Sequence, residues 1–442
     1  MRSIVKGPKN GDIGEDSEPV GLRLETDQPD SRLGSLQAAV TLWVDLGKAA
    51  PLVRWLDREL DQEGVPKRLP VASWEIGLRQ LAEARERRSE DWPEQVDALA
   101  EGWFRATLRF ARPGGSPAFG EFVQDKARGV LFRKWAEALS DPAFGTVVDW
   151  WFPRSSAMRH SPPPLPADAR PDRALAILRS NWSRDGDFLA VDHRLPGTAT
   201  RFELFGGGIP WLGPVWDSGG VNLKPAGRPK PTHWTSQGSA DVFEWSYRVG
   251  TARVTRTAVL LRCRRLALIG EQWDGGDDPG EFRIGLAEGI QAGPIPDCRG
   301  LALSPSKGRG SARVYPIGLP RRPYATEKGE FLVEGRELVL RQPAAAGQKR
   351  AWRALLVSWE PKRDRLPVHW RPLTVSENSK ECPSGTAFAS RLSWGRNDTL
   401  LVYRSLSRPG LRACLGHQTR ARFLVGLFTN EGEVEPLLKL DE

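Results

Sequence analysis

Hydrophobic spacing divides the chain in two. Between residues 35 and 150 the apolar positions recur at helical intervals. Leu36, Val40, Trp43 and Val44 form one stripe, and Leu52, Trp55, Leu56 and Leu60 form the next. The clearest runs through Val96, Leu99, Ala100, Trp103, Phe104 and Leu108. Asp91 is its expected cap, with Pro93 and Glu94 in the first turn. Another helix is expected over 119–139 with Phe122, Leu131, Trp135 and Leu139 inward, and residues 112–117 form a loop ahead of it. The spacing predicts about five amphipathic helices. After residue 182 the period drops to two. Phe243, Trp245, Tyr247 and Val249 share one strand face, while Glu244, Ser246 and Arg248 share the other. Trp352, Ala354 and Leu356 alternate in the same way with Arg353, Leu355 and Val357. Asn430-Glu431-Gly432 marks a hairpin, and Gly206-Gly207-Gly208 a tight strand turn. That glycine run lacks the Lys-Ser/Thr and the helix that a phosphate cradle requires.

These patterns predict an α+β protein: helices first, then a large antiparallel β-sandwich. The expected boundaries are a mobile segment over 1–34, a helical domain over 35–152, a proline-rich connector over 153–180 and a sandwich over 181–442. The first segment includes a short strand at 21–26. The connector centres on Ser161-Pro162-Pro163-Pro164-Leu165-Pro166 and ends in a short helical turn, Ala174–Leu178.

Composition narrows the function classes. The 442 residues carry 64 basic and 55 acidic side chains, a net charge of +9. This surplus favours an anionic partner such as nucleic acid, acidic polysaccharide or anionic lipid. Eighteen tryptophans against four tyrosines suit thick β-cores or sugar-stacking surfaces. Cys263, Cys298, Cys382 and Cys414 lie far apart, which excludes a zinc site of the usual spacing, and no metal or cofactor is expected. No stretch approaches ~18 consecutive apolar residues, so no transmembrane helix is expected. The first residues lack the apolar core of a signal peptide, so a cytoplasmic protein is expected, or an exported one if the start lies elsewhere.

Three stretches carry a resemblance. The helices are followed by Asp187-Phe-Leu-Ala-Val-Asp192, then Arg201-Phe-Glu-Leu-Phe-Gly-Gly-Gly-Ile-Pro210, then Arg253-Val-Thr-Arg-Thr-Ala-Val-Leu-Leu261. In this order they resemble the heparinase II/III-like polysaccharide lyases, most closely over roughly 180–275. The resemblance implies an incomplete helical toroid before a layered sandwich, with an acidic polysaccharide lying between them. It also implies β-elimination: a carboxylate is neutralised, a proton is removed beside it, and the leaving oxygen is protonated. Where the family shows paired histidines this chain has only His193, and it has no tyrosine before Tyr247. His193 is therefore the candidate for carboxylate neutralisation or proton transfer, and Tyr247 and Glu203 are candidate bases. Arg201 and Arg256 are candidate charge partners, and Trp211 and Trp216 candidate stacking platforms. His233 is a candidate contact from a Pro- and Gly-rich loop.

Each assignment has a plainer counterpart. His193 could be a bonded turn residue, Arg201 and Glu203 a solvated strand face, and the tryptophans core. Arg248, Arg253, Arg256, Arg262, Arg264 and Arg265 fall in a stretch, 245–270, without an acidic residue. They suit sulfate or carboxylate groups, or acids on neighbouring strands. A non-enzymatic scaffold on the same fold is the main rival to a lyase. A basic nucleic-acid-binding protein is the third reading, although no zinc finger, aromatic RNP-like strand or helix-turn-helix supports it.

Overall fold

The computed structural model describes residues 31–122, 126–153, 161–170, 172–194, 199–218, 225–276, 278, 280–322, 329–344 and 347–441. The strand expected at 21–26 lies outside them. Six helices precede the sheets among the described residues: α1 (Ser31–Leu46), α2 (Ala50–Glu59), α3 (Trp74–Arg87), α4 (Glu94–Arg109), α5 (Lys126–Ala138) and α6 (Pro142–Trp151). Helix α4 starts at the expected place, but Pro93 rather than Asp91 occupies its cap. At α6 the Asp141 carboxylate accepts the Phe144 N–H at 3.1 Å, and Pro142 begins the first turn, so both common start signals coincide. Helix α5 begins later than its spacing suggests. Phe122 lies ahead of it and remains 47% exposed instead of pointing inward.

The β region begins at Asp168, inside the expected connector. Two eight-stranded antiparallel sheets form its bulk. The first runs 168–170, 175–179, 188–192, 200–206, 209–217, 281–286, 337–341, 330–334 in spatial order. The second runs 290–294, 301–305, 312–316, 350–358, 266–274, 252–261, 240–249, 225–237. A five-stranded sheet over 368–440 and a small four-stranded sheet complete the set.

Side-chain alternation stacks these layers. On the first sheet Leu175, Ile177, Phe188, Ala190 and Phe205 join the helical core. Their alternates Ala176, Leu178, Leu189, Val191 and Leu204 join the core shared with the second sheet. The second sheet then turns Val242, Val259 and Leu268 onto Trp394, Leu400 and Phe423 of the five-stranded sheet. The order is therefore helices, first sheet, second sheet, five-stranded sheet. Two-sided burial explains why a strand, Leu175–Arg179, stands where a helical turn was expected over Ala174–Leu178. All five residues of Leu175–Arg179 are buried, and a continuous apolar run does not show its period. The Gly206–Ile209 pairing closes a hairpin in which Gly207 and Gly208 have φ of 60° and 83°. Two successive positive φ values are the condition for a tight primed turn.

Candidate functional site

Four of the residues singled out from sequence converge at one end of the space between the two large sheets. His193 follows strand 188–192, and its backbone N–H is held by the Ala174 carbonyl at 2.7 Å. Tyr247 and Arg256 come from the second sheet, and Trp216 from the first. Arg256 is fully enclosed. Its Nε donates to Glu271 Oε2 at 2.9 Å, one terminal nitrogen donates to Ser218 Oγ at 2.7 Å, and the other donates to the Trp216 carbonyl at 3.1 Å and to Thr200 Oγ1. Its guanidinium also lies over the Trp216 ring, 4.8 Å from the centroid, and over Tyr247 at 5.4 Å. Ser218 donates to Glu271 Oε2 at 2.7 Å and shares a 2.8 Å bond with the Tyr247 hydroxyl. The second Glu271 oxygen accepts the Trp273 indole N–H at 2.8 Å.

His193 joins this network through Nδ1. The Trp245 indole N–H donates to it at 3.0 Å, and the Thr200 hydroxyl lies 2.9 Å away. Because an indole nitrogen can only donate, Nδ1 is an acceptor and the ring proton sits on Nε2. The Tyr247 ring meets the imidazole edge-on at 5.1 Å. His193, Tyr247 and Glu271 are 1%, 3% and 0% exposed. Burial pushes the Tyr247 phenol above its usual range, although the Arg256 charge pulls the other way. The phenol is thus a poor proton acceptor. The side chains of Arg256, Glu271, Ser218 and Tyr247 are all bonded within the chain, as buried polar networks require, whereas the Trp216 indole N–H is buried without a hydrogen-bond partner among the described residues.

Glu203 lies elsewhere and is not on a solvated face. It projects from the first sheet toward the helices, where Arg112 clasps it with bonds of 2.6 and 2.8 Å. The Phe119 N–H adds a third bond at 2.7 Å. Phe119 is held at φ 62°, a left-handed conformation uncommon for a bulky side chain, which aims its N–H at the carboxylate. A second clasp fixes the same interface. Arg194 forks onto Asp192 at 2.7 and 2.8 Å and donates to the Leu69 carbonyl at 2.9 Å, ahead of α3. Burial acts to raise Asp192, but the Arg194 charge outweighs it and holds the carboxyl below the usual range, with a smaller contribution from half-buried Arg201.

The remaining candidates are scattered. Trp211 and Trp216 lie within strand Ile209–Asp217 rather than in loops, at 1% and 0% exposure, so neither can stack on a sugar. His233 is likewise in a strand, Pro225–Gln237, opposite Glu244. Burial lowers its affinity for a proton, while the Glu244 charge raises it. The arginine strip is divided. Arg256 points between the sheets, Arg262, Arg264 and Arg265 lie at or beside the turn before strand 266–274, and Arg248 and Arg253 stay exposed on the opposite face. Glu244, on the strand face opposite Trp245 and Tyr247, is fully buried between Arg404 and Arg422.

Glu271 and Arg112 escaped the sequence reading. Glu271 did leave a signal: it shares a strand face with Ala267, Ile269 and Trp273, and a lone carboxylate on an apolar face demands a cation. Arg112 left none. An open depression of about 720 Å³ on the helical side is lined by Ser35, Leu42, Trp55 and Arg58, and holds none of the candidate groups. Among the described residues no three His, Cys, Asp or Glu side chains cluster as a metal site would require. No described helix is long and apolar enough to cross a membrane.

No protein-family model matches the chain, and no curated protein sequence matches it significantly. Solved structures do match. A structure of heparan sulfate lyase HepC from Pedobacter heparinus aligns at a TM-score of 0.58 and 12% identity, covering 86% of this chain and 67% of that one. A heparinase III structure aligns at 0.62 and 12%, covering 85% and 67%. The heparinase III-BT4657 gene product aligns at 0.62 and 10%, covering 86% and 66%. Identities this low speak to fold alone: the chain shares its architecture, helices leading into stacked antiparallel sheets, with heparinase III.

Proposed function

We propose that this protein recognises an acidic polysaccharide on a heparinase III scaffold, without turnover by His193, Tyr247 or Glu203. The observation that carries the reading is the alignment of 85–86% of the chain with structures of heparan sulfate lyase and heparinase III. The surplus of nine positive charges suits the same ligand class. The burial and bonding of the three acid–base candidates support recognition over cleavage. An eliminating base needs access to a proton on the sugar, and these groups are spent on the chain's own contacts.

The convergence of His193, Tyr247 and Arg256 favours a second reading, cleavage by β-elimination. One pair of measurements separates the two. Heparan sulfate, chondroitin sulfate and alginate are each titrated by calorimetry, then incubated with the protein while the absorbance of unsaturated uronate is followed. Binding without new absorbance is the expected result. Absorbance that grows with time and vanishes in His193→Ala overturns the non-catalytic reading. Absence of binding to all three polymers overturns recognition itself.

A further inference from the structure

Strand register places a row of cations on the outer face of the second sheet. Arg248 lies directly opposite Arg253, Arg253 opposite Asp274, and Asp274 opposite Arg350. These four strands put the side chains about 5 Å apart, step by step, across the sheet. Lys230 joins the adjacent row, opposite Ser246. Asp274 is bonded to Arg350 at 2.9 Å and not to Arg253, whose nearest polar contact is the Ser246 hydroxyl at 3.4 Å. Among the described residues neither Arg248 nor Arg253 forms an ion pair, and both are exposed. The five-stranded sheet stops short of them. On this side Arg404 of that sheet donates to Gln272, one row inward from Asp274.

Like charges set directly opposite each other in a ladder destabilise it. Protection of an exposed sheet edge does not account for the pair. The edge strand is 225–237, which has its own prolines and Lys230, whereas Arg248 and Arg253 lie on the next two strands inward. The uncompensated repulsion would be relieved by an anion, and two guanidinium forks side by side match sulfate or carboxylate groups. Trp352, the one aromatic side chain in this row and the next, is buried, so these two rows offer no exposed ring on which single-stranded nucleic acid stacks.

We infer that this ledge, comprising Lys230, Arg248, Arg253 and Arg350, is where an acidic polysaccharide chain lies, across the strands of the second sheet rather than between helices and sandwich. The inference rests on the recognition proposed above. The test uses the full chain, a fluorescent heparan sulfate chain as probe, and two double variants of equal charge change. One is Arg248→Glu with Arg253→Glu. The other is Arg54→Glu with Arg58→Glu, at exposed positions of α2. The ledge variant is expected to bind at least tenfold more weakly and with a shallower dependence on salt, while the α2 variant changes less than threefold. Equal loss in both variants, or none in the ledge variant, refutes the ledge and leaves recognition standing. No binding by the unaltered protein refutes recognition. Duplex DNA binding more tightly than heparan sulfate, and lost in the ledge variant, overturns the saccharide assignment.

Discussion

Replacing Glu203 by glutamine distinguishes a clasp from a catalytic base. The side chain keeps its size but loses its charge. Arg112 then faces one amide oxygen in place of two carboxylate oxygens, and the amide NH2 must point at another donor, either the guanidinium or the Phe119 N–H. Bonds to a charged partner contribute roughly 1.5–3 kcal/mol each. Both side chains are only 4–5% exposed, so water cannot replace what is lost. Breaking one member of such a buried pair costs about 3–5 kcal/mol, chiefly because a guanidinium is left without its counter-charge. The assay is urea unfolding followed by tryptophan fluorescence, at two salt concentrations because a buried pair is weakly screened. Glu203→Gln should lower stability by about that amount at both. The double variant with Arg112→Met should lose less than the sum of the singles. A variant of unchanged stability that loses binding or cleavage of polysaccharide would refute this reasoning and make Glu203 a functional group.

Four further outcomes follow from the same contacts. Burial would raise the Glu244 carboxyl, but Arg404 and Arg422 bring it down to about 2, below the range of an unfolded chain. Its contribution is therefore complete above the unfolded value and is lost as pH falls toward about 2, so urea midpoints of the native protein should drop between pH 5 and 2 more steeply than those of Glu244→Gln. Tyr247→Phe removes one buried hydroxyl bond and should cost about 1 kcal/mol in unfolding while leaving heparan sulfate affinity unchanged in titration calorimetry. Gly206→Ala would place a methyl 2.4 Å from the Trp359 ring, and should lower the thermal midpoint measurably in calorimetry. Thiol titration should find Cys263 reacting first and Cys414 last, because the former is exposed and burial pushes the latter thiol up to about 11.

The alternation of Phe243, Trp245, Tyr247 and Val249 was legible because one face of a strand meets one core. What alternation cannot reveal is whether the other face meets water or another sheet. Alternation puts Glu244 on that other face without showing what covers it, and its partners lie 160 and 178 positions away. The same limit hides Arg112, which is 91 positions from Glu203. His193, Tyr247 and Arg256 were each legible as candidates, but their meeting and the enclosure that removes them from solvent depend on layers contributed by the whole chain.

The two large sheets are threaded through each other. The chain builds most of the first, crosses to the second, returns at 281–286, crosses again, returns at 330–341, and finishes at 350–358. The first sheet is not whole until 337–341 has left the ribosome, and the second not until 350–358 has. A nascent chain must therefore carry two unfinished sheets, with open edges and uncovered apolar faces, while residues 225–341 are made. No cut between residues 168 and 358 can release an autonomous half, so shortened forms should be trimmed from the ends.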